Sequence, residues 1–367
     1  MLARFNFNRR ATSIAAVALT IGLAACQTNT PEAGTSPAAD TAGESLNASL
    51  SGAGASFPAP LYQRWFSEYN KENPGVQISY QSVGSGAGVK QYLAKTVDFG
   101  ASDAPLTDEE RQEFQSKYNA EPIQVPMTGG AVVFAYNLGG DVQNMKLSRD
   151  AYCGIVQGDI KNWNDPKIAQ ENEGTNLPDE PITFVHRSDG SGTTFIFTNH
   201  LKAACPGWQA GASKSVSWPT GIGAKGNEGI TAQLKQTQGS IGYVEYAYAN
   251  ENDLNMASLE NKAGDYIEPS PDTASGALLG QPLPEDFALT VPDPTEQQAY
   301  PIVGLTWLLL YPQYDDPIKA EVFKTFIPWA FNQGDQYAEE LGYVALPDEV
   351  SEKVVTELDT IKTASAQ

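Results

Sequence analysis

Arg187-Ser188-Asp189-Gly190-Ser191-Gly192-Thr193-Thr194 runs directly into Phe195-Ile196-Phe197, and Leu201 continues the helical spacing begun by Phe197. Just upstream, Ile182-Thr183-Phe184-Val185 is a β-branched run that reads as a strand. A strand, a turn of glycines and hydroxyls, and then a helix make one unit of an α/β fold. The turn is also chemically specific. The first N–H groups of a helix lack partners, and the helix dipole favours negative charge there. Glycine lets an anion approach that backbone, and Ser or Thr adds a hydroxyl donor. Arg187 contributes a planar fork suited to an oxyanion, and Asp189, two residues on, is placed to fix its rotamer.

The design recurs twice upstream. Gly52-Ala53-Gly54-Ala55-Ser56-Phe57-Pro58-Ala59-Pro60 leads into Leu61-Tyr62-Gln63-Arg64-Trp65, and Gly84-Ser85-Gly86-Ala87-Gly88-Val89 leads into Lys90-Gln91-Tyr92-Leu93. One such turn is an ordinary capped helix; three in one chain point to a shared anion cradle. Around them, strands are predicted at Val76–Tyr80, Ala131–Tyr136 and Val303–Leu310, the last apolar enough to be buried on both faces. Helices are predicted from Leu61, Trp65 and Tyr69, from Val89 and Leu93, and from Phe197 and Leu201. The aromatic groups Trp65, Phe66 and Tyr69, and Tyr243, Tyr246 and Tyr248, read as core and surface packing. The stretch from Asp265 to Pro301 is rich in Pro, Ser, Asp and Gly and is expected to cross the surface.

The N-terminus sets the compartment. Arg4, Arg9 and Arg10 precede an uncharged run from Ala11 to Ala25, too short to span a bilayer comfortably and flanked as a secretory signal is. It closes on Leu23-Ala24-Ala25-Cys26, which resembles the lipobox of bacterial lipoproteins, so residues 1–25 are expected to be removed and Cys26 to carry lipid. Residues 26–46 hold almost no large apolar side chain and read as a flexible tether. The remainder is long enough for two domains. Cys26, Cys153 and Cys205 are the only cysteines. With Cys26 lipidated, the other two are either a disulfide in an oxidising compartment or two separate buried thiols.

Lys and Arg number 23 against 44 Asp and Glu; without Arg4, Arg9 and Arg10 the balance is 20 against 44, or −24. This excludes a basic nucleic-acid surface. An anion site here must rest on local donors rather than on the protein's overall field. Gly221-Ile222-Gly223-Ala224-Lys225-Gly226 fits GxGxxG but follows Trp218-Pro219 instead of a β-branched strand, and no GxxxxGK[ST] run occurs. His186 and His200 are the only histidines, so a metal site or a Ser-His-Asp hydrolase would need one of them well placed. His186 is expected on the strand face opposite Arg187.

As an ordered set, the first and third turns, Thr96-Val97-Asp98-Phe99-Gly100-Ala101-Ser102-Asp103-Ala104-Pro105, Trp218 to Asn227, and Gly239-Ser240-Ile241-Gly242-Tyr243-Val244-Glu245-Tyr246 resemble the signatures of the phosphate-specific periplasmic binding proteins. The likeness runs from about Leu50 to Pro347. It implies the type II periplasmic-binding-protein fold: two α/β domains joined by two crossing strands, with the ligand in the cleft. The domains would be 47–128 with 301–367, and 129–300, crossing near Met127–Asn137 and Pro301–Leu310. It also implies a monomer that is not an enzyme, needs no cofactor or metal, takes inorganic phosphate (with arsenate as an analogue) and serves an ABC permease. The chain would sit in the periplasm or at the cell surface, held to a membrane by its lipid.

Site residues carry over by position. Ser56 and Phe57 match the first loop, and Ser85 matches the second, where Gly86 replaces a serine common in the family. Arg187, Ser191, Gly192 and Thr193 match the third. Asp189 matches the carboxylate that holds the arginine, and Asp103 the one that accepts a proton from the ligand. A secreted phosphate-ester hydrolase, a carrier of sulfate or molybdate, and a surface phosphate sensor are the rival readings. The hydrolase lacks an activated nucleophile, and the Asp103 carboxylate argues against a proton-free anion.

Overall fold

The computed structural model describes residues 46–139, 142–278 and 281–363. The expected signal segment, Cys26 and all of the tether except Leu46 lie outside them. Among the described residues no helix is long and apolar enough to cross a membrane.

A nine-stranded sheet organises the chain. Its order is Val76–Ser82, Ala48–Gly54, Phe99–Ser102, Val303–Leu310, Ile123–Asn137, Ser240–Glu245, Thr183–Arg187 and Ile222–Ala224, with Asn255–Met256 added beside Ile123–Asn137. The strands at each end run parallel to their neighbours, as strands linked by crossover helices do. The two middle strands are antiparallel to what flanks them.

Ile123–Asn137 joins the two ends. From Ile123 to Ala131 it pairs with Val303–Leu310, and from Val132 to Asn137 with Ser240–Glu245. Fifteen residues long, it is buried throughout except at Asn137. The sequence reading caught only its second half, because Pro126, Thr128, Gly129 and Gly130 interrupt the β-branched run. Val303–Leu310 is buried along its whole length, as its apolar sequence predicts. Its one hydroxyl, Thr306, is also fully buried and bonds to Asp103.

The expected helices form at Ala59–Glu72, Ser85–Leu93 and Gly192–Ala204. The first packs Trp65, Phe66 and Tyr69 into the core. The stretch 265–301 departs from expectation. It contains the helix Pro271–Leu278, and Phe287, Val291 and Tyr300 are buried. These scattered apolar side chains have no period, so their burial is set by the surface they cover rather than by a local pattern. Cys153 and Cys205 are joined as a disulfide, with Cα atoms 5.5 Å apart.

Candidate functional site

Four helix N-termini, those of Ala59–Glu72, Ser85–Leu93, Gly192–Ala204 and Gly226–Gln236, converge between the two ends of the sheet. Each follows a strand directly or after a short turn, which places backbone donors at the strands' C-terminal edges, where α/β sheets take ligands.

The third loop supplies the cation. Arg187 ends its strand and is 3 % exposed. Its Nε donates to Asp189 Oδ1 at 2.7 Å and its Nη2 to Asp189 Oδ2 at 2.6 Å, a bidentate pair. Gly226 N–H also donates to Asp189 Oδ1 at 3.1 Å. Burial alone would raise the Asp189 carboxyl, but the Arg187 pairing outweighs it and holds the group below its ordinary value. Burial likewise works against the guanidinium charge, and Asp189 more than restores it. With Nε and Nη2 committed, Nη1 lies 3.4 Å from Thr193 Oγ1 and faces the convergence point. Ser191 caps the helix by accepting the Thr194 N–H at 3.0 Å.

Asp103 is the carboxylate of the site. It follows the strand Phe99–Ser102 and is 1 % exposed. Oδ1 accepts the Thr306 hydroxyl at 2.8 Å, and Oδ2 lies 3.4 Å from Ser85 Oγ. Burial lifts its pKa to about 7, against the opposing pull of Thr306, Arg187 and Ser85. Ser85 Oγ accepts N–H groups from Asp103 at 3.2 Å and from Gly192 at 3.0 Å, tying the second loop to the third. Gly192 permits this approach: a Cβ there would lie 2.5 Å from Asp103 Cβ and from Ser85 Oγ. Gly84, at φ +89°, turns the second loop where a side chain would strike Asp189.

Ser56 and Phe57 open the first loop, both fully buried. Ser56 Oγ accepts from Asn227 N at 3.1 Å and Asn227 Nδ2 at 3.0 Å. Phe57 sets its ring edge-on to Tyr343 at 6.1 Å. The loop's carbonyls are turned to phenols: Tyr248 donates to Ser56 O and Tyr343 to Phe57 O, each at 2.7 Å. Tyr343 also reaches Glu245 Oε2 at 3.1 Å, and burial keeps Glu245 well above its ordinary carboxyl range.

All eight residues expected to contact an anion, Ser56, Phe57, Ser85, Asp103, Arg187, Ser191, Gly192 and Thr193, are thus brought together with Asp189. Four participants were missed. Asn227 closes the family-like stretch from Trp218 but was given no role, and Thr306 lies in a strand read only as apolar. Tyr243 and Tyr248 were read as packing, but Tyr243 Oη accepts the Arg187 N–H at 3.0 Å and bonds Thr194 Oγ1 at 2.6 Å. His186 stacks on Trp218 at 5.1 Å, away from Asp189 and Thr193, where the Arg187 side chain bonds. His200 is buried against Tyr152 and the Pro292 carbonyl, its pKa lowered to about 4 by burial. Among the described residues no group of His, Cys, Asp and Glu is arranged to hold a metal ion.

Parallel α/β ends of one sheet joined through antiparallel strands, with buried polar side chains from both ends meeting between them, are the architecture of a two-domain periplasmic binding protein. The chain matches the PBP superfamily domain over residues 30–333. It is 43 % identical over 316 residues to the phosphate-binding protein PstS of Pasteurella multocida, covering 85 % of this chain and 90 % of that one. To the phosphate-binding protein PstS of Haemophilus influenzae it is 41 % identical over 318 residues, covering 85 % and 93 %. A high affinity periplasmic phosphate-binding protein (PfluDING), solved with phosphate bound, shares the fold with a TM-score of 0.72 at 23 % identity, covering 84 % of this chain and 93 % of that one. The chain belongs to the phosphate-specific periplasmic binding protein family.

Proposed function

We propose that this chain binds inorganic phosphate outside the cytoplasmic membrane and delivers it to an ABC-type importer, as a monomeric carrier and not an enzyme. The observation that carries the reading is the pairing of one buried acceptor, Asp103, with surrounding donors: Arg187, the hydroxyls of Ser56, Ser85 and Thr193, and the helix N-termini. A tetrahedral oxyanion that still carries a proton satisfies such a set, since its oxygens accept and its one proton is given to the carboxylate. Ser191, Gly192 and Phe57 lend backbone donors, and Asp189 holds the arginine from behind. Arsenate, of the same shape and protonation, should also enter. The halves 47–128 with 301–367, and 129–300, would close on the ligand, the closed form being what the permease engages. The two relatives named above are phosphate-binding proteins, which supports the ligand.

The Cys153–Cys205 bridge supports an oxidising compartment. Within it, Cys26 would hold the chain to a membrane by lipid. Retention of radiolabelled phosphate by the full-length protein, with a phosphatase assay alongside, tests the carrier reading. Stoichiometric retention without ester hydrolysis is expected; hydrolysis would favour an enzyme instead. Palmitate labelling lost in Cys26→Ala is the matching expectation for the anchor, and equal labelling of both forms would refute it.

A further inference from the structure

We infer that Asn227, buried and outside the residues that touch the anion, is a positioning residue that commits the Ser56 and Thr193 hydroxyls to donate toward the ligand. The inference rests on the phosphate-binding reading.

Asn227 stands in the first turn of the helix Gly226–Gln236 and is fully buried. The orientation of its amide is fixed from one side. Oδ1 accepts the Glu245 backbone N–H at 3.1 Å, and only the oxygen end of an amide can do so. Nδ2 must therefore face the opposite way, where it donates to Ser56 Oγ at 3.0 Å and to Thr193 Oγ1 at 3.1 Å. Its two protons are then both spent, one on each hydroxyl.

The consequence lies in the lone pairs. A hydroxyl has two acceptor sites and one proton. Ser56 Oγ receives Asn227 Nδ2 and also the Asn227 backbone N–H at 3.1 Å, so both acceptor sites are filled. Thr193 Oγ1 receives Asn227 Nδ2 and Arg187 Nη1, with the same result. Each oxygen is left with only its proton to offer. Ser85 differs: its oxygen accepts the Asp103 and Gly192 N–H groups, and its own proton is directed to Asp103 Oδ2 at 3.4 Å. A freely rotating hydroxyl can turn either its proton or a lone pair to meet a ligand group. Ser56 and Thr193 cannot, which makes each a donor without a formal charge. The arrangement also leaves Asp103 as the acceptor for ligand protons.

That predicts how affinity varies with ligand protonation. Monoprotonated phosphate gives its single proton to Asp103. The diprotonated form carries a second proton for which the committed hydroxyls offer no acceptor. In Asn227→Ala the two hydroxyls are free to turn and accept it. The titratable groups packed around Asn227 and the anion site, Asp103, Arg187, Asp189, Glu228, Glu245, Tyr62, Tyr80, Tyr243, Tyr248 and Tyr343, are common to both proteins, so their titration enters both arms of the comparison.

The test is calorimetric titration of the full-length protein and its Asn227→Ala form with inorganic phosphate at pH 8 and pH 5.5. At pH 8 the variant should bind roughly tenfold to a hundredfold more weakly, the scale of one or two hydrogen bonds to a charged ligand. At pH 5.5 the gap should shrink several-fold. The same loss at both values, as general loosening would give, overturns the inference, and so does no loss at pH 8. A wild type that binds no phosphate at either pH overturns the functional reading itself, a distinct result. Should Asn227→Ala fold poorly, Ser56→Ala/Thr193→Val supplies a second arm. It should show the same flattened pH contrast as expected for Asn227→Ala, and a contrast as steep as the wild type's would overturn the inference.

Discussion

Replacing Asp103 by Asn should relax the discrimination between phosphate and sulfate chiefly by improving sulfate. Around neutral pH phosphate keeps a proton and sulfate keeps none, while an ionised carboxylate can only accept. Asp103 is almost fully buried, and the cost of charging it there is already visible in a pKa lifted from 3.8 to about 7, worth about 4 kcal/mol. Setting a sulfate oxygen against that charge adds repulsion with no hydrogen bond in return. Sites built around such a bond reject an analogue lacking the partner by roughly 10⁴–10⁵. The structure also says how the amide would sit. Thr306 donates to Oδ1 at 2.8 Å and would hold the amide oxygen there, leaving Nδ2 at the Oδ2 position beside Ser85. An N–H donor then faces sulfate, worth about 1.5–3 kcal/mol, or roughly tenfold to a hundredfold in affinity before relief of repulsion is counted. Competition of sulfate against labelled phosphate at pH 8 is the assay. Wild type should tolerate millimolar sulfate and the variant should not. Equal rejection by both would show that the carboxylate is not the discriminator.

Three further outcomes are expected. In the absence of ligand, Asp103 binds its proton more tightly folded than unfolded, so its contribution to stability is present below pH 3.8 and lost as pH rises through about 7. Denaturant titrations should show Asp103→Asn gaining on wild type by up to about 4 kcal/mol between pH 4 and pH 8, and a constant difference would refute it. Arg187→Ala strips the partner from the partly buried Asp189 and should weaken phosphate by roughly a hundredfold or more without improving sulfate, as read by the same competition assay. The Cys153–Cys205 link spans 52 residues and contributes about 4 kcal/mol in the chain-entropy account, so reduction should lower Tm. Two titratable thiols in the unreduced, denatured protein would contradict the bridge.

The part of the site that could be read in the sequence was the part built from contiguous residues. A helix start advertises itself through glycines and hydroxyls, and Arg187 with Asp189 lies within two positions, so the three loops were visible one by one. Asp103 was legible only through family likeness, because Ser-Asp-Ala-Pro is also an ordinary turn. What sequence could not show was which distant groups fill the remaining hydrogen-bonding capacity. Asn227 reaches Ser56 across 171 positions and Thr306 reaches Asp103 across 203; the first was seen only as the end of a family-like stretch with no role attached, and nothing local marks the second. Tyr243 and Tyr248 failed differently. Their rings do pack, and only their hydroxyls serve the site, a division invisible to a reading that assigns each residue one role. The same limit applied to Ile123–Asn137, whose glycines and proline broke the β signal while its burial came from neighbours on both sides.

The most direct measurement is isothermal titration of the full-length protein at pH 8 with phosphate, arsenate and sulfate in turn. Tight, saturable binding of one phosphate per chain is predicted, with arsenate competing for the same site and no heat from sulfate at millimolar concentration. Absence of phosphate binding, or binding of sulfate comparable to phosphate, would contradict the account.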